Sequence, residues 1–289
     1  MRAYNGVMRG KWEYSIFTMI LLLASGPLFA AEQHAHPELL ADVSAIQPGK
    51  PFWVGIRLTM DPGWHVYWKN PGDAGVATKV TFMLPQGFTA GPVQYPTPLK
   101  FPQPGDITIY GYEGTVLLMA QITPPMDLSA NATISADVKW MVCSDVCQLG
   151  KASVNLNLPV SSSATLANAD EFAKFRAELP MDPADCPDLS DVKVSGDGQG
   201  EFTVDAQWKQ SVGKNVDFFP GSLDSYDIAG IKEESQADST HITFTAKPMA
   251  GQSAAPANLE AVIGYDDNRG ERRGIRINIS IPQAGSPKE

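Results

Sequence analysis

The sequence has few cysteines, few histidines and, beyond its N-terminus, no long apolar run. Only three cysteines and four histidines occur in 289 residues, so a metal centre with four such ligands has few candidate residues. No later segment is apolar over the ~20 residues that a membrane helix needs, and we expect a soluble protein. A formal net charge of −10 argues against nucleic acid or anionic membrane surfaces as partners.

The N-terminus has the layout of a secretory signal peptide. Basic residues precede an apolar run at residues 16–24, and small Ala30 and Ala31 follow at the expected cleavage site. The alternative is a membrane anchor, but the apolar run is too short to span a bilayer comfortably. We therefore predict that residues 1–30 are removed on export to the periplasm, an oxidising compartment in which close cysteines usually pair. The histidines of the new terminus, His34 and His36, could bind copper or nickel, although we favour a mobile polar terminus.

Short strand patterns separated by Pro and Gly fill most of the remaining chain, and no long segment has a helical period. This spacing is typical of β-sandwiches. Residues 38–160 are predicted to form a first sandwich and residues 187–283 a second, in which residues 275–281 alternate apolar and polar side chains. A connector at residues 161–186 is expected to hold a short helix between Asn168 and Leu179. The predicted fold class is therefore all-β, with two sandwich domains in tandem.

Cys143 and Cys147 are flanked by two alternating, strand-like segments. The residues between them, 144–146, fit a three-residue hairpin loop. That loop would place the two thiols opposite each other where the strands meet, close enough for a disulfide. The third cysteine, Cys186, lies in the Pro-rich connector and is expected to be a partly buried lone thiol.

The cysteine pair allows three interpretations. It could be a structural staple, although a disulfide that closes so short a loop removes little chain entropy. It could be a redox couple, because exchange needs one thiolate to attack and a second thiol to resolve the mixed disulfide. It could also contribute to a zinc or copper site, for which His65 is one further candidate ligand. Asp145 lies between the thiols and would disfavour a thiolate by like charge.

Residues 94–114 contain several prolines and end in the segment Ile109, Tyr110, Gly111 and Tyr112. We interpret this segment as a long loop, and its two tyrosines favour an ordered loop that packs on another part of the protein. Four aromatic residues are interpreted as sandwich core because of the area that they bury: Trp64, Tyr67, Trp68 and Trp140.

Four motifs occur in order along the first predicted sandwich: GWHVYWKNPGDAG at residues 63–75, LPQGF at 84–88, YGYEG at 110–114 and WMVCSDVC at 140–147. Together they resemble the N-terminal periplasmic region of the DsbD family of thiol:disulfide interchange proteins, and in particular its ScsB-like branch. The resemblance is strong over residues 40–160 and weaker over residues 187–283. The transmembrane electron carrier and the thioredoxin-like domain of the family do not follow in this sequence.

The resemblance implies an immunoglobulin-like sandwich whose cysteine pair exchanges electrons without a cofactor. Cys143 and Cys147 match the redox pair, and Tyr110 and Gly111 match the loop that shields it. Ile109 stands where better-known members have an aromatic cap residue. The implied partners are a membrane-embedded electron donor of the DsbD type and oxidised periplasmic proteins, in the settings of cytochrome c biogenesis and copper tolerance. The cysteine spacing is shorter here than in those members.

Two hypotheses about function result. The first is a periplasmic thiol-disulfide exchange module, a component of a protein-disulfide reductase system, that relays electrons through Cys143 and Cys147. The second is a non-enzymatic module that binds a protein or copper and in which the disulfide only holds a loop.

Overall fold

The computed structural model describes Met1 and residues 33–209, 215–249 and 255–282. The predicted signal peptide falls almost wholly on residues outside this part of the chain. From Gln33 onward the described residues form one compact unit. Antiparallel strands dominate that unit and build two β-sandwiches joined by a partly helical connector, as the sequence predicts.

The first sandwich packs a four-stranded sheet, in the order β1-β2-β8-β5, on a six-stranded sheet, in the order β10-β9-β3-β7-β6 with β4 beside β9. Its core is filled by inward-facing side chains such as Ile56, Trp68 and Val138, which are at most 1% exposed. The strands are β1 (Ala35–Ala41), β2 (Phe52–Met60), β3 (His65–Gly72), β4 (Lys79–Met83), β5 (Thr89–Ala90), β6 (Leu99–Gln103), β7 (Ile107–Glu113), β8 (Thr115–Thr123), β9 (Ala132–Cys143) and β10 (Cys147–Leu158).

The connector contains the predicted helix as α1 (Ala169–Ala177), followed by a short 3-10 helix at Pro183–Asp185. Phe172 and Phe175 of α1 are buried against Leu117 and Met119 of the four-stranded sheet. This sheet is thus covered on both faces, which explains why β8 is almost continuously apolar instead of alternating.

The second sandwich pairs a sheet in the order β11-β12-β15-β14 with a sheet in the order β13-β16-β17. In the last strand Ile275, Ile277, Ile279 and Ile281 all point into the core, so the alternation predicted there is confirmed. The strands are β11 (Leu189–Gly196), β12 (Glu201–Trp208), β13 (Asp217–Pro220), β14 (Tyr226–Ser235), β15 (Ser239–Pro248), β16 (Ala257–Asp266) and β17 (Arg272–Ile281).

The two sandwiches share a buried contact centred on Phe219 of β13. Its side chain is fully buried and belongs to the core cluster of the first sandwich. The Phe219 ring lies edge-on to Trp68, with centroids 6.1 Å apart, and to Tyr110, at 5.1 Å. An ion pair between Lys69 and Glu260 crosses the same interface. The second sandwich therefore completes the packing of the first.

The prediction of a long loop at residues 94–114 is wrong, because this segment contains the β6–β7 hairpin. The prolines of this segment argue against a strand, because a proline in the middle of a sheet removes a ladder hydrogen bond. Pro102 pairs with Thr108, but β6 is an edge strand, where no neighbour needs the missing N–H. Gly105 and Asp106 close the hairpin with positive φ angles of 84° and 57°.

The expected mobile terminus is also wrong for the described residues 33–36. The His34 ring stacks on Trp64, with centroids 3.7 Å apart. His34 Nδ1 and His36 Nε2 lie 2.9 Å and 3.1 Å from the two carboxylate oxygens of Asp61. These contacts hold the start of β1 beside the turn that precedes β3.

Candidate functional site

The two cysteines close the β9–β10 hairpin and form a disulfide. They are register partners in the antiparallel pair, with Cα atoms 4.2 Å apart, close to the spacing of a non-hydrogen-bonded pair. Residues 144–146 form the three-residue loop that the sequence predicts, and the Ser144 N–H donates to the Val146 carbonyl at 3.0 Å. The hairpin alone thus brings the two sulfur atoms together.

Strand alternation decides on which face of the sheet the site lies. Trp140 and Val142 of β9 point into the sandwich core, so Cys143 points to the opposite, outer face. On β3, Val66 and Trp68 are core residues, and Tyr67 is turned outward for the same reason. The disulfide therefore lies outside the sandwich core, on the outer face of the six-stranded sheet.

Cys143 is covered by side chains from neighbouring strands. It forms a buried cluster with Tyr67 of β3 and Ile109 of β7, and Phe101 and Met141 pack against this cluster. The Tyr67 hydroxyl donates a hydrogen bond to Cys143 Sγ at 3.2 Å. The cover thus combines apolar shielding with a hydroxyl donor aimed at one sulfur.

His65 completes the site beside the cover. It is the register partner of Cys143 across the β3–β9 pair. Its ring stacks on Phe101, with centroids 5.2 Å apart, and meets Tyr67 edge-on at 5.5 Å. Its Nε2 is buried and has no hydrogen-bond partner among the described residues. Burial lowers the pKa of His65, while the negative charge of Glu113 opposes that shift; burial raises the pKa of the Tyr67 hydroxyl.

The two sulfurs differ in exposure. Cys143 is only 2% exposed, whereas Cys147 is exposed at the hairpin mouth. Val146 and Leu149 on either side of Cys147 are 59% and 75% exposed, which gives this end of the hairpin an apolar surface. A thiol from another molecule can approach Cys147 but is screened from Cys143.

The motif at residues 70–75 supports the cover from behind. Gly75 has a φ of 103°, and a Cβ atom there would lie 2.1 Å from the Tyr67 ring, so only glycine lets the chain pass this close. Asp73 holds the start of β7, because its carboxylate accepts the Thr108 N–H at 2.7 Å and its own N–H donates to the Thr108 carbonyl at 2.9 Å.

The structure brings only one of the three predicted shielding residues onto the cysteine pair. Ile109 touches Cys143 in the buried cluster. Tyr110, the next residue on the strand, points to the other face and meets Phe219. Gly111 lies between strands: a Cβ there would be 2.1 Å from the Val66 carbonyl oxygen, so the glycine allows β7 to approach β3.

His65, Tyr67 and Phe101 are absent from the predicted shielding residues although they surround the pair. Tyr67 was interpreted with Trp68 as sandwich core, and this is wrong for Tyr67. The strand period does contain a signal for His65 and Tyr67. Successive residues of a strand point to opposite faces, so if Trp68 is in the core, Tyr67 and His65 point to the outer face. The strand period does not identify Phe101 as a shielding residue, because the prolines of its segment predict a loop and not a strand.

Outside this site, Cys186 is a lone thiol, as expected, but it is buried and not partly buried, with its Sγ 3.3 Å from the Tyr265 hydroxyl. Over residues 33–209, 215–249 and 255–282, no group of three or more His, Cys, Asp or Glu side chains is arranged to hold a metal ion. In the same part of the chain, no helix is long and apolar enough to cross a membrane.

The fold and the site define a class of protein: a β-sandwich domain that carries a half-exposed disulfide on the outer face of a sheet. Residues 32–159 match the family model described as thiol:disulfide interchange protein DsbD, N-terminal. The match confirms, for this part of the chain, the resemblance that the motifs indicate, and both cysteines of the pair lie within the matched residues.

A solved structure extends the comparison to both sandwiches. The chain is similar to the crystal structure of the N-terminal periplasmic domain of ScsB from Proteus mirabilis, with a TM-score of 0.63 and 20% sequence identity. The match covers 87% of this chain and 95% of the other, so it supports the predicted fold of two immunoglobulin-like sandwiches. A search of the curated proteins finds no match.

Proposed function

We propose that this chain is a periplasmic thiol-disulfide exchange module that passes electrons through Cys143 and Cys147. The electrons would come from a membrane-embedded donor of the DsbD type and go to oxidised periplasmic proteins. The observation that carries the proposal is the asymmetry of the disulfide, in which Cys147 is exposed and Cys143 is buried under Tyr67 and Ile109.

A purely structural disulfide would add little to the stability of the fold at this position. The two cysteines are only four residues apart in the sequence, and the entropy removed from the unfolded chain grows with loop length. The β9–β10 ladder also pairs all residues from Cys147 to Leu158, so the disulfide is one of many links between the two strands. A short loop and an existing ladder make the redox role the better explanation of the pair.

The exposure difference assigns the two cysteines separate roles. A donor thiolate attacks Cys147 Sγ, the intramolecular disulfide breaks, and its electron pair goes to Cys143, which then takes up a proton. A second donor thiol resolves the mixed disulfide, so that two electrons leave the donor and both cysteines become thiols. In the client step the Cys147 thiolate attacks the client disulfide and Cys143 resolves the mixed disulfide.

Single-cysteine variants test these roles. Cys143→Ser leaves the exposed thiol and should trap redox partners as mixed disulfides, whereas Cys147→Ser leaves the covered thiol and should trap few. Cys186→Ser is the matched control, because this buried connector thiol packs in the core of the other sandwich and should not change trapping. The trapped species are resolved on non-reducing gels and identified by mass spectrometry.

The reduction potential of the wild-type protein separates this function from a structural disulfide. A potential below about −300 mV, together with no exchange with thioredoxin-like proteins, would mark a structural bond and overturn the proposal. If a double Cys→Ser variant at 143 and 147 still bound its partner normally, the non-enzymatic binding module would be the better description.

A further inference from the structure

The β6–β7 hairpin has two faces with different neighbours. On the outer face, the register partners Phe101 and Ile109 pack in the cluster around Cys143. On the opposite face, the next pair, Lys100 and Tyr110, contacts the second sandwich. Because neighbouring residues of a strand point to opposite faces, a displacement of one face of this narrow hairpin also displaces the other.

Lys100 is held by two carboxylates of the second sandwich. Its Nζ lies 2.6 Å and 2.7 Å from the carboxylate oxygens of Glu233 and 3.6 Å from Asp217 Oδ1. The three side chains are only 19–22% exposed, so water screens this pair less than a surface pair. The Glu233 carboxylate also accepts the Phe218 N–H at 2.6 Å, which fixes its position.

The tip of the hairpin, in contrast, borders open space on the side of the second sandwich. An open cleft of ≈ 660 Å³ lies between the tip residues Asp106 and Thr108 and the second sandwich at residues 220–231. The hairpin thus contacts the second sandwich through Lys100 and Tyr110. Its turn, near Asp106 and Thr108, borders the cleft instead.

We infer that the second sandwich holds the β6–β7 hairpin closed over Cys143, and that Lys100 and Glu233 are positioning residues which set how readily the disulfide is attacked. This inference rests on the proposed exchange function and adds its regulation.

The test is the rate at which dithiothreitol reduces the purified, full-length oxidised protein. In wild type one dithiothreitol thiolate attacks the exposed Cys147 and releases Cys143; a displaced hairpin also opens Cys143 to attack, which releases Cys147. In both cases the second dithiothreitol thiol closes the cyclic disulfide, so two electrons pass to the protein. Lys100→Met keeps the aliphatic stem and removes the charge, and Glu233→Gln keeps an acceptor for the Phe218 N–H. Each variant should be reduced about three- to tenfold faster than wild type, the range that loss of one partly buried ion pair allows.

Two comparisons separate this effect from general loosening. The Lys100→Met, Glu233→Gln double variant should react no faster than the faster single variant, because both changes break the same contact. Lys69→Met is the matched control: it removes the ion pair with Glu260 at the same interface, but Lys69 is on β3 and not on the hairpin. Its rate should stay within about twofold of wild type, and the thermal midpoint of each variant is measured to confirm folding.

Unchanged reduction rates in folded Lys100→Met and Glu233→Gln would overturn the inference, and so would an equal acceleration in Lys69→Met. Exchange between reduced wild-type protein and oxidised thioredoxin tests the proposed function separately. If that exchange occurs but the hairpin variants behave like wild type, the function stands and this inference fails. If the variants accelerate reduction by dithiothreitol but no protein exchange occurs, the function fails and the shielding by the hairpin stands.

Discussion

The hydrogen bond from Tyr67 to Cys143 makes a quantitative prediction for Tyr67→Phe. The substitution keeps the ring that covers the sulfur and removes only the hydroxyl, which donates at 3.2 Å. In the oxidised protein this donor meets a neutral sulfur, but during reduction Cys143 leaves as a thiolate. A hydrogen bond to a charged group contributes about 1.5–3 kcal/mol and a neutral one about 1 kcal/mol.

Taken at the middle of the charged range, the difference is about 1.25 kcal/mol, and it sets the size of the effect. It corresponds to about one unit in the pKa of the Cys143 thiol, which should rise in Tyr67→Phe. A thiol with a higher pKa is a poorer leaving group, so reduction of the disulfide should slow by about three- to tenfold, depending on how much charge has developed in the transition state.

Two assays measure these quantities. The thiolate absorbance of the Cys147→Ser, Cys186→Ser variant, followed against pH with and without Tyr67→Phe, reports the pKa of Cys143. Stopped-flow reduction by dithiothreitol reports the rate. Tyr95→Phe is the control, since its hydroxyl donates to the Thr78 carbonyl at 3.0 Å instead of to sulfur. An unchanged pKa together with an unchanged rate in Tyr67→Phe would refute the role of the hydroxyl.

Two further predictions concern the support of the cover. Gly75→Ala should destabilise the protein by about 1–3 kcal/mol in urea unfolding and accelerate alkylation of reduced Cys143, because the new methyl group displaces the Tyr67 ring; equal alkylation rates would contradict this. His65 should make stability fall with acid, because its lowered pKa in the folded state means that its contribution is present above the unfolded pKa of about 6.5 and is lost as pH falls towards the folded value. The thermal midpoint should therefore drop more between pH 7 and pH 5 in wild type than in His65→Gln, and equal drops would count against the burial effect.

The sequence allowed the β9–β10 hairpin to be predicted because all the information needed is local. Two alternating segments and three residues between Cys143 and Cys147 specify a register, and the register brings the sulfurs together. The surroundings of the pair depend on strands that are distant in sequence, and a strand pattern does not say which strands are neighbours. The positions of β3 and β7 relative to β9 follow from the sandwich topology, and so does the contact of Tyr67 with Cys143.

The error at the β6–β7 hairpin has a different cause. The prolines of residues 94–114 predict a loop. On an edge strand, however, Pro102 removes no ladder hydrogen bond that the sheet needs. An edge position cannot be inferred from one strand alone, because it depends on what lies beside the strand. The sequence therefore predicts a loop where the structure has two strands, and it groups Tyr110 with Ile109 although their side chains lie on opposite faces of β7.

The two faces of the β6–β7 hairpin suggest what the second sandwich contributes to the site. Among the residues that the structure describes, the cluster around Cys143 contains only side chains of the first sandwich, so no described residue of the second sandwich takes part in the chemistry. It does fill the interface at Phe219 and it binds Lys100, both directly behind the residues that cover Cys143. A rigid sheet would need no such support, but a hairpin at the edge of a sheet has neighbours on one side only. Support from behind is therefore the contribution that best explains the contacts of Lys100 and Tyr110 with the second sandwich.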